Sequence, residues 1–307
     1  MKNRLYFSNT LIHCYQRTSD RGVLFYTFSD FLVYFTLYCI VARKYSICVL
    51  ALCQMPDHIH DSIITCSDAN LCRFKDEVNT GFARKWNAQA GLSGHVFESP
   101  YGSAVKMGDK KVRTNIIYVG NNPVERKLVM KAEDYRWNYL AYAVSDHPFS
   151  EKLVIRDARW PLQKAAREVK SLFKAGKPLN YAILKRLFGS LNRNEILKLT
   201  DFIIKTYNVI DYEEASRYFG SYEDMLASMH ATTGSEYDIN EVFIGKDDSF
   251  YARMTSVLMK EAGMKDIHDI LAMDTDSKLK LFVLLQQRTK APVGQIASFL
   301  HLPIRRE

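Results

Sequence analysis

Short apolar runs alternate with longer periodic ones over the first half of the chain, and helical periodicity takes over after about residue 150. Leu5, Tyr6, Phe7, Leu11 and Ile12 predict a first strand within residues 4–14. An apolar helix is expected over residues 29–43, with Ser29 or Asp30 as its N-cap. Residues 47–53 are wholly apolar and rich in β-branched side chains, the pattern of a central strand. Pro56 interrupts, and an extended pattern resumes over 58–64, so the pair reads as a hairpin. A second helix begins at Ser67-Asp68, sets Phe74, Val78 and Phe82 on one face at a spacing of four, and stops at Gly91. Residues 94–105 read as a further strand region. A polar loop, Gly108-Asp109-Lys110-Lys111, leads into a third helix through Val112, Ile116 and Ile117, which Gly120-Asn121-Asn122-Pro123 is expected to end or kink.

The order β-α-β-β-α-β-α predicts an α+β fold, followed by a mostly α-helical C-terminal domain. The boundary is expected near Asp146-His147-Pro148, giving domains 1–149 and 150–307. The length suffices for two cores. With 47% hydrophobic and 25% charged residues, the composition is that of a soluble globular chain. The net charge of +8 permits binding to nucleic acid or an acidic membrane without selecting either. The longest apolar stretch, residues 31–42 between Asp30 and Arg43, is too short to span a bilayer, and the N-terminal segment lacks the apolar centre of a signal peptide. All six cysteines precede residue 73 and none forms a C-x-x-C pair, so a reducing cytoplasm is expected and no zinc knuckle.

Two clusters carry candidate chemistry. His58 and His60 stand at i and i+2 of an extended segment, so both imidazoles share one sheet face and can converge on a divalent metal, with Ile59 directed into the core behind. A plain polar face is the alternative at this point. Tyr118 and Asn122 stand at i and i+4 of the third helix and so share a face. If that helix crosses the sheet, the phenol meets the histidines and Asn122 adds an oxygen ligand.

Four segments together resemble the REP-associated tyrosine transposases, a family of single-tyrosine HUH enzymes. They are Met55-Pro56-Asp57-His58-Ile59-His60, then Gly94-His95-Val96-Phe97-Glu98. The third is Ile117-Tyr118-Val119-Gly120-Asn121-Asn122-Pro123-Val124-Glu125-Arg126, and the last is Asp134-Tyr135-Arg136-Trp137-Asn138-Tyr139. The resemblance covers roughly residues 1–143. It implies a ferredoxin-like catalytic core, a metal site built from His58, His60 and Asn122, and Tyr118 as a nucleophile that forms a 5′-phosphotyrosine bond and leaves a free 3′-OH. The substrate implied is single-stranded, hairpin-associated DNA, and the protein a cytoplasmic, nucleoid-associated monomer or homodimer. Asp57 stands where the family has asparagine, Asp61 where it often has leucine, and Glu98 where it often has glutamine. These carboxylates are candidates for an extra metal ligand or for repelling a phosphate.

Two imidazoles and an amide oxygen suit Mg²⁺ or Mn²⁺. Lys106, Lys110, Lys111, Arg113 and Arg126 flank the predicted site and are candidate DNA-phosphate contacts; a solvated Lys-Lys loop is the other reading. Trp86, Tyr101 and Trp137 are open to base stacking or to core packing. Near the C-terminus, residues 277–288 and 293–300 read as a helix pair, the second resembling the first helix of a helix-turn-helix with its turn at His301-Leu302-Pro303, followed by the basic pair Arg305-Arg306. A non-catalytic hairpin-DNA-binding protein or repressor on the same fold is the alternative function.

Overall fold

A computed structural model describes residues 6–232 and 247–303. The first part follows the predicted order. Strand β1 spans Leu11–Arg17, helix α1 Phe28–Lys44, β2 Cys48–Gln54, β3 His58–Ile64, α2 Asp68–Ala90, β4 Gly102–Lys106 and α3 Asp109–Glu125. The strands form one antiparallel sheet in the order β2-β3-β1-β4, the ferredoxin-like arrangement.

The sheet has a helix layer on each side. Ile12, Cys14, Ile59 and Ile63 share a core with Phe35, Tyr38, Phe74, Val78 and Phe82 of α1 and α2. Leu11, Leu50, Ala51 and Cys53 instead pack with Val112, Ile116, Tyr118 and Val119 of α3. A register shift in β2 between Val49 and Ala51 places the consecutive residues Leu50 and Ala51 on the α3 side.

Four boundaries differ from the sequence expectation. The N-cap of α1 is Thr27, and Asp30 is the third residue of its capping box, so the cap lies just upstream of the apolar run. Strand β1 begins at Leu11; Tyr6 and Phe7 are not in it, and Leu5 lies outside the described residues. Only Gly102–Lys106 of the region 94–105 forms a strand, with Phe97 bridging to Thr18. Helix α3 runs through Pro123 to Glu125. Proline there removes one N–H in the last turn, and Asn138 Nδ2 donates to Gly120 O at 2.8 Å, adding a bond from outside the helix.

The chain after residue 150 is helical: α4 Trp160–Lys174, α5 Tyr181–Phe188, α6 Arg193–Tyr207, α7 Tyr212–Arg217, α8 Tyr222–Ala231, α9 Ser249–Lys260, α10 Asp269–Ala272, α11 Thr275–Thr289 and α12 Val293–Leu300. One apolar cluster runs from Ile12 through α1 to Leu199, Ile203 and Phe299. Arg305-Arg306 lies outside the described residues. No described helix is long and apolar enough to cross a membrane.

Polar anchors also join distant segments. The buried Asp30 carboxylate accepts from Thr27 N at 2.7 Å, from Tyr181 Oη at 2.8 Å and from His268 Nε2 at 2.8 Å. His268 Nδ1 bonds Asp266 at 2.7 Å. Burial alone lowers the His268 pKa, but its bonds and charge pairing with Asp30 and then Asp266 carry it up to about 9. Because the folded value lies above the ordinary 6.5, this pairing stabilises the fold fully below pH 6.5 and is lost as pH rises through 9. Replacing His268 with Gln is expected to cost on the order of 3 kcal/mol at pH 6. Urea titrations of both chains at pH 6 and pH 9.5 check this, and the gap should narrow at the higher pH.

Candidate active site between the sheet and helix α3

Period-two geometry puts His58, His60 and Ser62 on the α3 face of β3 and Ile59, Asp61 and Ile63 on the other. Helix α3 answers the polar face with polar residues. Ser62 Oγ donates to Asn115 Oδ1 at 2.7 Å, and His58 Nε2 lies 3.3 Å from Asn122 Oδ1. The Tyr118 ring stands edge-on to His60, with centroids 5.3 Å apart, and the His58 and His60 rings are 4.9 Å apart. The four residues named from sequence, His58, His60, Tyr118 and Asn122, therefore meet at one place. They are 2%, 0%, 0% and 0% exposed.

Both imidazoles are held from behind. His58 Nδ1 bonds Asp57 Oδ1 at 2.5 Å, and His60 Nδ1 bonds His13 Nε2 at 3.0 Å. Their Nε2 atoms are left toward the cluster, and His60 Nε2 is buried without a hydrogen-bond partner. Burial, then the neighbouring His58, His13, Arg17 and Arg126, holds the His60 pKa well below its ordinary value. Burial, then Lys106 and Lys75, pushes His13 down to about 3. His60 and His13 are therefore neutral at pH 7.

A buried nitrogen lone pair next to a second imidazole and an amide oxygen is a donor set that fits a small divalent cation. Nδ1 bonds that fix the rings from outside are the usual companions of histidine ligands. Neighbouring donors on such an ion stand roughly 3 Å apart, close to the His58–Asn122 separation. Among the described residues, no group of three or more His, Cys, Asp or Glu side chains has a metal-holding arrangement, so Asn122 is essential to the fit.

The carboxylates substituted in the motifs do different things. Asp57 orients His58. Asp61 points to the opposite face, where it accepts from Tyr38 Oη at 2.7 Å and from Lys75 Nζ at 2.5 Å, so it neither ligates nor repels anything at the histidines. Glu98 pairs with Arg21 at 2.8 Å, and its backbone carbonyl accepts from Gln16 at 2.7 Å.

The basic candidates also separate. Lys110 and Lys111 are exposed in the first turn of α3, and Lys106 is half-buried at the end of β4. Arg113 is exposed and donates to Tyr218 O at 3.3 Å. Arg126 is 9% exposed and pairs with Asp248 at 3.5 Å, so it is part of the packed wall beside His60 rather than a surface contact. Trp86 and Trp137 are core residues: Trp86 Nε1 donates to Leu24 O at 3.1 Å, and Trp137 stacks on Phe31 at 4.3 Å. Tyr101 is half-buried near the Lys75 ammonium.

Sequence reading missed His13 and Arg17. Both lie on the α3 face of β1, and Arg17 pairs in register with His58. Alternation within β1 offered the only signal, and it did not reveal that β1 lies beside β3.

No protein-family model matches the chain, and no curated protein matches it. Among solved structures, that of a REP-associated tyrosine transposase bound to a REP hairpin is similar at 16% identity and a TM-score of 0.41, over 47% of this chain and 84% of that one. At that level no residue role passes from one protein to the other.

His13→Ala is expected to leave His60 Nδ1 buried without its partner and to lower stability by about 1–3 kcal/mol. Denaturant unfolding of the variant against the native chain measures this. His13→Gln, which restores an acceptor, should recover part of the loss.

Proposed function

We propose that this protein cleaves and rejoins single-stranded, hairpin-associated DNA through a covalent tyrosine intermediate. The observation that carries the reading is the convergence of Tyr118 and Asn122 with His58 and His60 across the sheet–α3 boundary. The Tyr118 ring packs with Ala51, Cys53 and Val119 and also stands edge-on to His60, one turn of α3 from Asn122. A nucleophile beside a cation site has a chemical reason for that position.

His58, His60 and Asn122 would hold one divalent ion, Mg²⁺ or Mn²⁺. Bound there, it supplies positive charge to the scissile phosphate as the transition state develops. Asp57 and His13 keep the two Nδ1 atoms occupied, so both Nε2 lone pairs face inward. Tyr118 Oη forms the bond to phosphorus as the bond to the 3′ oxygen breaks, leaving a free 3′-OH and a 5′-phosphotyrosine. That linkage retains the phosphodiester bond energy, so rejoining by a 3′-OH needs no nucleotide cofactor. All four residues are buried, so a DNA phosphate reaches them only after the chain around the site moves.

Tyr118→Phe removes one oxygen and is expected to abolish an SDS-resistant adduct with hairpin DNA while leaving DNA binding within about twofold. An undiminished adduct in this variant rules Tyr118 out. EDTA and His58→Ala/His60→Ala should each lower adduct yield by at least 100-fold, and yield is read on denaturing gels with Mn²⁺ present or chelated. A stem-loop with an unpaired flank should react, and its fully paired counterpart should not. Tight hairpin binding by the native chain with no adduct under any of these conditions favours the non-catalytic DNA-binding protein.

A further inference from the structure

We infer that the hollow between α4, α6 and residues 144–155 is a second DNA contact, one that holds backbone phosphates outside the reacting segment. It rests on the DNA reading above but uses none of the same residues.

The hollow has a volume of about 510 Å³ and is lined by Lys152, Lys170, Lys198 and Lys205. Helix α6 supplies Lys198, Phe202 and Lys205 at i, i+4 and i+7, which is a single helical face. Lys170 faces them from α4, its ammonium 5.6 Å from the centre of the Phe202 ring. Two lysines have carboxylate partners: Lys198 meets Glu151 and Lys205 meets Asp146, each at 2.8 Å. Those carboxylates are 85% and 68% exposed, so both pairs are held weakly in water and exchange readily for another anion. Among the described residues no carboxylate lies within ion-pair distance of Lys152 or Lys170. The hollow therefore carries excess positive charge.

Its rim is also fixed in place. Asp201, on the buried side of α6, accepts from Phe149 N at 3.1 Å, Ser150 Oγ at 2.8 Å and Tyr142 Oη at 2.6 Å, and pairs with Arg136. Residues 149 and 150 are thus pinned to the helix that carries Lys198, Phe202 and Lys205. With the backbone that carries them fixed, the lysines lose only side-chain freedom on meeting an anion. Consecutive phosphodiesters can displace Glu151 and Asp146 and pair with several lysines at once.

The test uses the full chain and a DNA hairpin with an unpaired flank, with binding followed by fluorescence anisotropy at several salt concentrations. Lys170→Gln/Lys205→Gln should make the dependence of log Kd on log salt shallower by roughly 1 per lysine. Lys170→Glu/Lys205→Glu should weaken binding at least tenfold. Both pairs are surface substitutions, and circular dichroism checks the fold. Adduct formation by Tyr118 at saturating DNA should be unchanged in both. Unchanged affinity and salt slope overturn the second contact and leave the catalytic proposal standing. Lysine-dependent binding without any adduct from the native chain supports the contact and overturns the catalytic proposal. A native chain that binds no DNA overturns both.

Discussion

A strand buried on both faces must present each helix layer with side chains that the layer can satisfy. In β3 this constraint is severe, because the α3 face carries His58, His60 and Ser62 in succession. Asn122 and Asn115 of α3 meet His58 and Ser62, and His60 is held by His13. On the other face Asp61 is the polar exception among isoleucines, and the buried Lys75 ammonium and Tyr38 hydroxyl both bond it. An uncompensated charge at that depth would cost several kcal/mol. Slipping β3 by one residue against its neighbours would turn the histidines toward Phe74 and Val78 and set two isoleucines against Asn115 and Asn122. The polar pattern of the site therefore helps to set the register of the sheet.

Burial has a second consequence for the histidines. Removed from water and surrounded by Arg17, Arg126 and Lys106, His13 and His60 are held neutral. A neutral imidazole has one nitrogen that donates and one that accepts, so each Nδ1 contact selects which lone pair faces the cluster. The substitution that distinguishes the first motif, Asp57, holds the His58 ring in place through Nδ1.

Charged side chains from the helical part meet the sheet part in the same manner. Asp201 of α6 receives Arg136, Asp248 receives Arg126, and Asp30 receives Tyr181 and His268. Arg136 belongs to the last of the four motif segments, as does Trp137, stacked on Phe31 of α1. That segment is thus a packing element. Gly120 has a related role: a β-carbon there would lie 2.7 Å from the tip of the Met229 side chain of α8, so a larger residue would require that side chain to move aside.

Much of this was readable from the residues in order. Local periodicity determines element type, so the alternation in 58–64 and the spacing of Phe74, Val78 and Phe82 located β3 and α2, and Ser67 and Gly91 marked the ends of α2. The same rules put His58 with His60, and Tyr118 with Asn122, on common faces. What lies between those pairs was decided only in three dimensions, because strand order is not a local property. Pairing β1 beside β3 is what brought His13 to His60, over a separation of 47 residues. Exposure likewise escapes the sequence: Arg113 and Arg126 look equivalent in one dimension, yet one is exposed and the other is packed against Asp248. The face on which Asp61 falls could be read from its neighbours, but the ammonium that makes its burial tolerable comes from Lys75 of α2, and only tertiary packing could supply it.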